Sequence, residues 1–333
     1  WLFIALALFV VVSCGETTQK NENASQSSPQ QGTSEIQKLS DVIAADSLNP
    51  ESYYLRSKLY LGGFEVNKAL ADINKAIQLD NKNSDYFVVL SDIYLAMNRI
   101  PNCLDALKKA EELDGTNNNA LLKLSEIYLI LKDYDKSFAY ANKALDLEQL
   151  NPKAHFTRGY AYMELGDTTL AIRSFEAASN QDPNYFEAFI ELGILYAAQG
   201  NALAAQYFQT AARIKPDRSE AYYLLGMFYQ NQENIPKAVE TYEKLLTIDP
   251  EYKEAHYNLG YINLVYTNDF EKAVSYFTTA ITLDPKYTDA IFNRGYSYEL
   301  MGDFSKARID YQKALEVTPN YERAIEGLNR LDK

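Results

Sequence analysis

From residue 50 to residue 321 apolar side chains recur three and four positions apart in runs of helical length, separated by short polar turns. That spacing puts them on one face of a helix and predicts a chain of amphipathic helices. The pattern itself recurs. Pro183, Pro216, Pro250, Pro285 and Pro319 stand at near-constant intervals, and five positions before them come Ala178, Ala211, Leu245, Ala280 and Ala314. Carried backwards, this register divides the chain into eight units: 50–83, 84–117, 118–151, 152–185, 186–218, 219–252, 253–287 and 288–321. Each unit predicts two helices joined by a turn. In the fourth unit the small residues Ala171 and Ala178 let the pair approach closely, while Tyr162 and Phe175 fill the space beside them. One such hairpin cannot bury its apolar face alone, so the units are expected to stack on their neighbours. The fifth unit is one residue short and the seventh one long, and both changes are assigned to the segment between the helices.

A stack of this kind needs covered ends. Residues 322–333 predict a capping helix, with Ala324, Ile325, Leu328 and Leu331 inward and the charged residues outward. At the other end Ile36, Leu39, Val42 and Ile43 place the second helix of an incomplete unit at 35–49. Residues 14–34 are mostly Ser, Gln, Asn and Thr, a composition that cannot bury enough apolar surface to offset chain entropy, so a flexible tether is expected. Residues 1–13 are almost wholly apolar. They are shorter than the roughly 20 residues of a membrane-spanning helix and fit the apolar core of a secretory signal peptide.

In the fourth unit His155, Arg158-Gly159, Tyr162, Ala171, Phe175, Ala178 and Pro183 follow the order W-x2-L-G-x2-Y, A-x3-F, P. The sixth unit matches it with Tyr222, Leu225-Gly226, Tyr229, Ala238, Tyr242, Leu245 and Pro250. The tyrosine slot holds Tyr60, Tyr94, Tyr128, Tyr162, Tyr196, Tyr229 and Tyr298, with Asn263 the exception. The first three units depart at the terminal proline, carrying Asn81, Gly115 and Gln149. On these residues the chain resembles the tetratricopeptide repeat (TPR) family. The resemblance implies an all-α fold, a right-handed α-solenoid of eight tandem helix-turn-helix repeats, whose first helices line a concave surface that holds a partner. Val11-Val12-Ser13-Cys14 resembles the lipobox of bacterial lipoproteins. That second resemblance implies cleavage before Cys14 and lipidation of Cys14.

Chemistry is sparse. With 32 basic against 45 acidic residues the net charge is −13. Such a surface repels phosphate backbones, and nucleic acid is not expected as a partner. Two cysteines and two histidines, His155 and His256, leave little for a disulfide framework, a metal site or acid–base catalysis. Both histidines fall in a slot that other units fill with Tyr53, Phe87, Phe189 and Tyr222, and Cys103 takes a small-residue slot, so all three are read as packing. No nucleophile elbow, zinc helix, P-loop or dinucleotide fingerprint is present. No enzyme activity, metal or cofactor is expected.

The candidate site lies on the first helices. One row runs Tyr54, Val88, Leu122, Phe156, Ile190, Tyr223, Tyr257 and Phe292; one turn further on come Lys58, Asp92, Glu126, Tyr160, Ile194, Met227, Tyr261 and Tyr296. From the fourth unit both rows are apolar or aromatic, and exposed surface of that kind marks binding sites. The expected groove is therefore Phe156, Tyr160, Ile190, Ile194, Tyr223, Met227, Tyr257, Tyr261, Phe292 and Tyr296. The competing reading makes part of these rows core between neighbouring first helices. Glu187, Glu220, Glu254 and Asp289 form an acidic rim, read either as favouring a partner with basic flanks or as stabilising the helix dipoles. Lys58 is the lone base in these rows, so the family's clamp for acidic C-termini is not expected.

The expected protein is an exported scaffold, lipid-anchored to the bacterial envelope at Cys14, preferably on the outer membrane, that holds an envelope protein or peptide bearing apolar anchors. The resemblance implies a place in envelope assembly or secretion. Two other uses stay open: glycan or ligand capture by the tyrosine-rich groove, and self-association through the stripe.

Overall fold

The computed structural model describes residues 29–332. The expected signal peptide, Cys14 and residues 14–28 of the expected tether lie outside them. Among the described residues the chain forms eighteen α-helices and no strand, arranged as an all-α solenoid of tandem hairpins. It divides into two compact units, Trp1–Ala161 and Tyr162–Lys333. The first holds α1 (Pro29–Ala45) and the hairpins α2–α3 (Pro50–Gly62, Val66–Leu79), α4–α5 (Ser84–Ala96, Ile100–Leu113) and α6–α7 (Asn118–Ile130, Tyr134–Leu147). Helix α8 (Pro152–Glu164) runs across the boundary and α9 (Thr168–Gln181) follows. The second unit continues with α10–α11 (Phe186–Ala198, Leu203–Ile214) and α12–α13 (Ser219–Asn231, Ile235–Ile248). It ends with α14–α15 (Lys253–Ile262, Phe270–Leu283), α16–α17 (Thr288–Leu300, Phe304–Val317) and α18 (Glu322–Leu331).

Each first helix starts on the first residue of its repeat unit. Helix α1, by contrast, starts at Pro29, inside the stretch expected to be tether. Proline suits a helix's first turn, because its φ is already helical and the N–H it lacks would have no partner there.

Local chemistry sets where the helices begin and end. The second helices α7, α9, α13, α15 and α17 are capped by Asp133, Asp167, Asn234, Asp269 and Asp303, whose side chains accept from a first-turn N–H. At the far end of the same hairpins Asp182, Asp249 and Asp284 accept from the N–H two residues on, closing the turn into the next unit. One residue in every hairpin turn is left-handed: Phe64, Asn98, Lys132, Gly166, Gly200, Glu233, Asn268 and Gly302. The single-residue length changes stay local. The extra residue of the seventh unit is absorbed in a π-helical turn, Asn263–Thr267, after α14. The missing residue of the fifth comes from the start of α11, which has 12 residues where its sister second helices have 14.

Helix pairs meet through small residues. Ala76, Ala110, Ala144, Ala178, Ala211, Leu245, Ala280 and Ala314 occupy one repeated slot and are all fully buried. Opposite, Gly226 lies so close to Tyr242 that a Cβ there would fall 2.5 Å from a ring carbon. The capping helix differs from expectation at one position. Ile325, expected inward, is 42% exposed, while Ala324 is fully buried and Gly327 packs on Tyr311. Ile325 occupies the slot that faces a repeat's own second helix, and among the described residues no helix packs there.

Candidate partner-binding face

In the second unit the expected stripe separates into floor and surface. Ile190 and Phe292 are each only 4% exposed and belong to the core. Ile194, Tyr223, Met227, Tyr257, Tyr261 and Tyr296 are partly exposed. In the first unit Phe156 and Tyr160 are also partly exposed, their rings edge-on with centroids 4.9 Å apart. The two remaining aliphatics of the first row there, Val88 and Leu122, are buried at 7% and 5%. Its second row carries charge: Lys58 is exposed, and Asp92 accepts a 2.6 Å bond from Lys123.

The surface of the second unit has walls that the sequence reasoning missed. In the turns between repeats a tyrosine stands two positions after the proline and caps the next first helix, at Tyr185 before α10 and further on at Tyr252, Tyr287 and Tyr321. The last three turn back onto the first-row residue of the preceding repeat. Tyr252 packs on Tyr223 with centroids 5.2 Å apart, Tyr287 on Tyr257 at 4.9 Å, and Tyr321 on Phe292 at 5.6 Å. The signal was present as Pro250-Glu-Tyr252, Pro285-Lys-Tyr287 and Pro319-Asn-Tyr321, a second period of the repeat. First-row and turn tyrosines together make a band of half-buried rings across three repeats.

Polar contacts hold these rings in place. Asn293 donates to the Tyr257 hydroxyl at 3.1 Å and accepts from Arg323 at 3.3 Å, while Asn258 donates to the Tyr242 hydroxyl at 3.0 Å. The Tyr321 hydroxyl donates to Asp289 at 2.5 Å, and the Arg323 guanidinium sits 4.4 Å from the Phe292 ring centre. Burial, aided by the Asp289 charge, pushes the Tyr257 phenol up to about 12. Burial likewise raises Tyr223, with Glu254 adding to it, and raises Tyr252, Tyr287 and Tyr321 above the usual phenol range. These phenols stay protonated at neutral pH and act as rings with a hydrogen-bonding edge.

The acidic rim is paired. Lys215 meets Glu187 at 2.9 Å and Arg218 meets Glu220 at 3.5 Å. Lys253 lies 3.9 Å from Glu254, and Arg323 3.8 Å from Asp289. Each acid also stands in the first turn of its helix, where it suits the dipole. The rim is a row of ion pairs, and its net field on a partner is smaller than four bare carboxylates would produce.

The other candidates occupy packing positions. His256 donates from Nε2 to the Pro250 carbonyl at 2.9 Å, and His155 Nε2 lies 3.3 Å from the Gln149 carbonyl. Burial lowers His155 below the usual imidazole value. Cys103 is buried and its thiol is pushed up to about 11 by desolvation. Among the described residues no group of three or more His, Cys, Asp or Glu is placed to hold a metal ion, and no helix is long and apolar enough to cross a membrane. What the face offers is shape, aromatic area and oriented polar edges.

Sequence profiles described as tetratricopeptide repeat match residues 50–83, 119–149, 253–287 and 288–321. Those described as TPR repeat match 159–200 and 228–265, and together the matches span more than half of the chain. No curated protein matches the sequence. Solved structures do match in fold. The C-terminal part of a TPR repeat-containing protein from Cytophaga hutchinsonii is 21% identical, covering 72% of this chain and 99% of its own, with a TM-score of 0.62. The pilF protein of Pseudomonas aeruginosa is 17% identical, covering 60% and 92%, with a TM-score of 0.54. A tetratricopeptide repeat protein from Parabacteroides merdae is 17% identical, covering 75% and 99%, with a TM-score of 0.50.

Proposed function

Because this chain belongs to the tetratricopeptide repeat family, a scaffold suited to protein–protein interaction, we propose that it is a non-catalytic scaffold of the bacterial envelope that holds a segment of a partner protein on the first helices of its second unit. The observation that carries this reading is the band of half-buried tyrosines across the sixth to eighth repeats, where Tyr223, Tyr257 and Phe292 are each backed by a turn tyrosine. Partly covered rings already held by neighbours lose little freedom on binding, so they suit anchor residues. Ile194, Met227, Tyr261 and Tyr296 extend the same face one helical turn further. The ligand is a protein or peptide segment with apolar anchors.

Cys14 is the proposed lipid anchor, and the polar residues after it are the tether. About fourteen coil residues, 15–28, reach roughly 20 Å from an anchor, enough to let a domain search for partners near one membrane face. The proposed setting is envelope assembly or secretion, on the outer membrane. The reading is tested by paired pull-downs from detergent-solubilised native envelopes. One bait is the protein itself and the other carries Tyr223→Ala, Tyr257→Ala and Tyr261→Ala, with folding checked by circular dichroism. A protein recovered by the first bait and lost from the second supports the face. Equal recovery by both, or none by either, rejects it. Fractionation of a Cys14→Ser variant tests the anchor separately: loss from the membrane fraction is expected, and retention would refute it.

Stacked tyrosines such as Tyr257 and Tyr287 also suit the apolar faces of sugars. That second reading predicts polysaccharide binding that the same triple variant loses.

A further inference from the structure

The apolar face on the first helices does not end at its second row. One turn further along the seventh and eighth repeats stand Val265 and Leu300, followed by Tyr266 and Met301, and the four side chains are between 42% and 47% exposed. The sister helices lack this third step: α10 has Ala198 and Gln199 there, and α12 has Asn231 and Gln232. Val265 and Tyr266 both belong to the π turn that takes up the seventh repeat's extra residue, and single π turns recur at functional sites.

At the foot of the two columns, between the hairpin turns of the seventh and eighth repeats, lies an open pocket of about 430 Å³ lined by Thr267, Asn268, Asp269, Phe270, Glu271 and Met301. The charges around it are mostly paired. Asp269 meets Lys272 at 2.8 Å, Asp303 meets Lys306 at 2.7 Å, and Glu299 meets Arg330 at 2.9 Å. Glu271 is exposed, lines the pocket and enters no ion pair among the described residues.

Resting on the partner-binding reading above, we propose that the segment held there is an amphipathic helix of the partner protein, lying along α14 and α16 with its apolar face on their two columns and a lysine or arginine reaching Glu271. Shape favours this occupant. From Tyr257 to Val265, and from Phe292 to Leu300, is eight residues, about 12 Å of helix. A helix is about 10 Å wide, close to the spacing of packed neighbouring helices, so one laid lengthwise touches both columns. An extended segment crossing the repeats would meet the first two rows and leave Val265, Tyr266, Leu300 and Met301 bare. The third step is also continuous with the tyrosine band, on the same two first helices. Charge agrees: a basic side chain can rest its aliphatic stem on Phe270 and Met301 and bring its charge to Glu271, the acid beside the pocket that lacks a counter-charge.

The test is photo-crosslinking in cells, with a photoreactive side chain at position 257, 265 or 300 and the linked partner residues mapped by mass spectrometry. Positions 257 and 265 are expected to mark residues about eight apart on one partner, whereas an extended segment lying the same way would put them about four apart. A separation of about four, an adduct from 257 with none from 265 and 300, or linkage to a second copy of this chain would overturn the helix. No adduct from any of the three in cells that express the protein would instead reject the binding face, and the helix with it. Variants give a second measure. Val265→Asp and Leu300→Asp change exposed side chains, and circular dichroism checks that both fold. Each should weaken the adduct from 257 by about tenfold, and Glu271→Lys should do the same. An adduct that survives Val265→Asp and Leu300→Asp would overturn the lengthwise helix, and one that survives Glu271→Lys would overturn its basic anchor.

Discussion

Gly226→Ala tests how closely the two helices of a hairpin must approach. Alanine is the better helix former by about 1 kcal/mol, so in an open helix this change would stabilise. Here the new Cβ would lie 2.5 Å from one carbon of the Tyr242 ring and 2.8 Å from another. The ring must move outward by roughly 1 Å to reach ordinary contact distance. It has nowhere to go. Tyr242 is fully buried, and its hydroxyl donates to Gln230 at 3.1 Å while accepting from Asn258 at 3.0 Å. Overpacking of this kind costs about 1–3 kcal/mol, and loosening a phenol hydrogen bond adds about 1 kcal/mol. Set against the propensity gain, the net expectation is destabilisation of about 1–3 kcal/mol. Because repeats stabilise one another only as neighbours, the loss should be local. Hydrogen exchange in urea should therefore show faster exchange in α12 and α13, with α2 and α3 unchanged. Tyr242→Leu makes room and removes the phenol, so adding Gly226→Ala to that background should cost about 2–4 kcal/mol less than adding it to wild type. A Gly226→Ala protein as stable as wild type, or one whose effect is the same in both backgrounds, would refute the packing argument.

Other predictions follow from single features. Phe64 is left-handed and 91% exposed, so Phe64→Gly should raise stability by about 1 kcal/mol in urea titration by relieving its backbone strain. Asp310, 4% exposed, takes two bonds of 2.7 and 2.8 Å from Arg294, and Asp310→Ala should cost about 2–4 kcal/mol by stranding that guanidinium. Lys306→Ala, which breaks an exposed pair with Asp303, should change stability by less than about 1 kcal/mol. Burial, with Asp92 assisting, raises the Glu126 carboxyl above its ordinary range against Lys123 and Lys153. The folded chain then keeps a proton that the unfolded chain releases, so stability falls as pH rises from the ordinary glutamate range through the raised one. Glu126→Gln should remove that fall, giving a higher urea midpoint at neutral pH and no difference from wild type below the window.

Most of the fold was legible because a repeat states its register many times. The proline and small-residue intervals set a repeat register, and the first helices, from the one at Pro50 to the one at Thr288, recur with it. Features that occur once were harder to see. The π turn at Asn263–Thr267 is one of several ways a helix end can absorb an extra residue, and spacing alone does not select among them. The amphipathic pattern puts Ile325 on the apolar face of α18, but among the described residues no helix packs on that part of the face.

The site was legible only in part, for a related reason. Counting along the first helices finds Tyr223, Tyr257 and Tyr261, but burial depends on neighbours from other units. Phe292 is covered because Tyr321 and Arg323 of the following segment lie over it, and Ile190 is enclosed in the cluster that also holds Leu225. The turn tyrosines follow no helix face, because their period sits in the connections. The acidic rim was found, but its partners Lys215, Arg218, Lys253 and Arg323 come from turns and adjacent helix ends.

The central claim is that a partner lies on the tyrosine band of the second unit, and site-specific photo-crosslinking in intact cells tests it most directly. A photoreactive residue would replace Met227 or Tyr261 on the band, and in a third strain Lys244, which is exposed on the second helix α13. The account predicts the same covalent adduct from positions 227 and 261, absent from position 244 and lost when Tyr223 and Tyr257 are changed to Ala. An equal adduct from position 244, or none from the band in cells that express the protein, would contradict it.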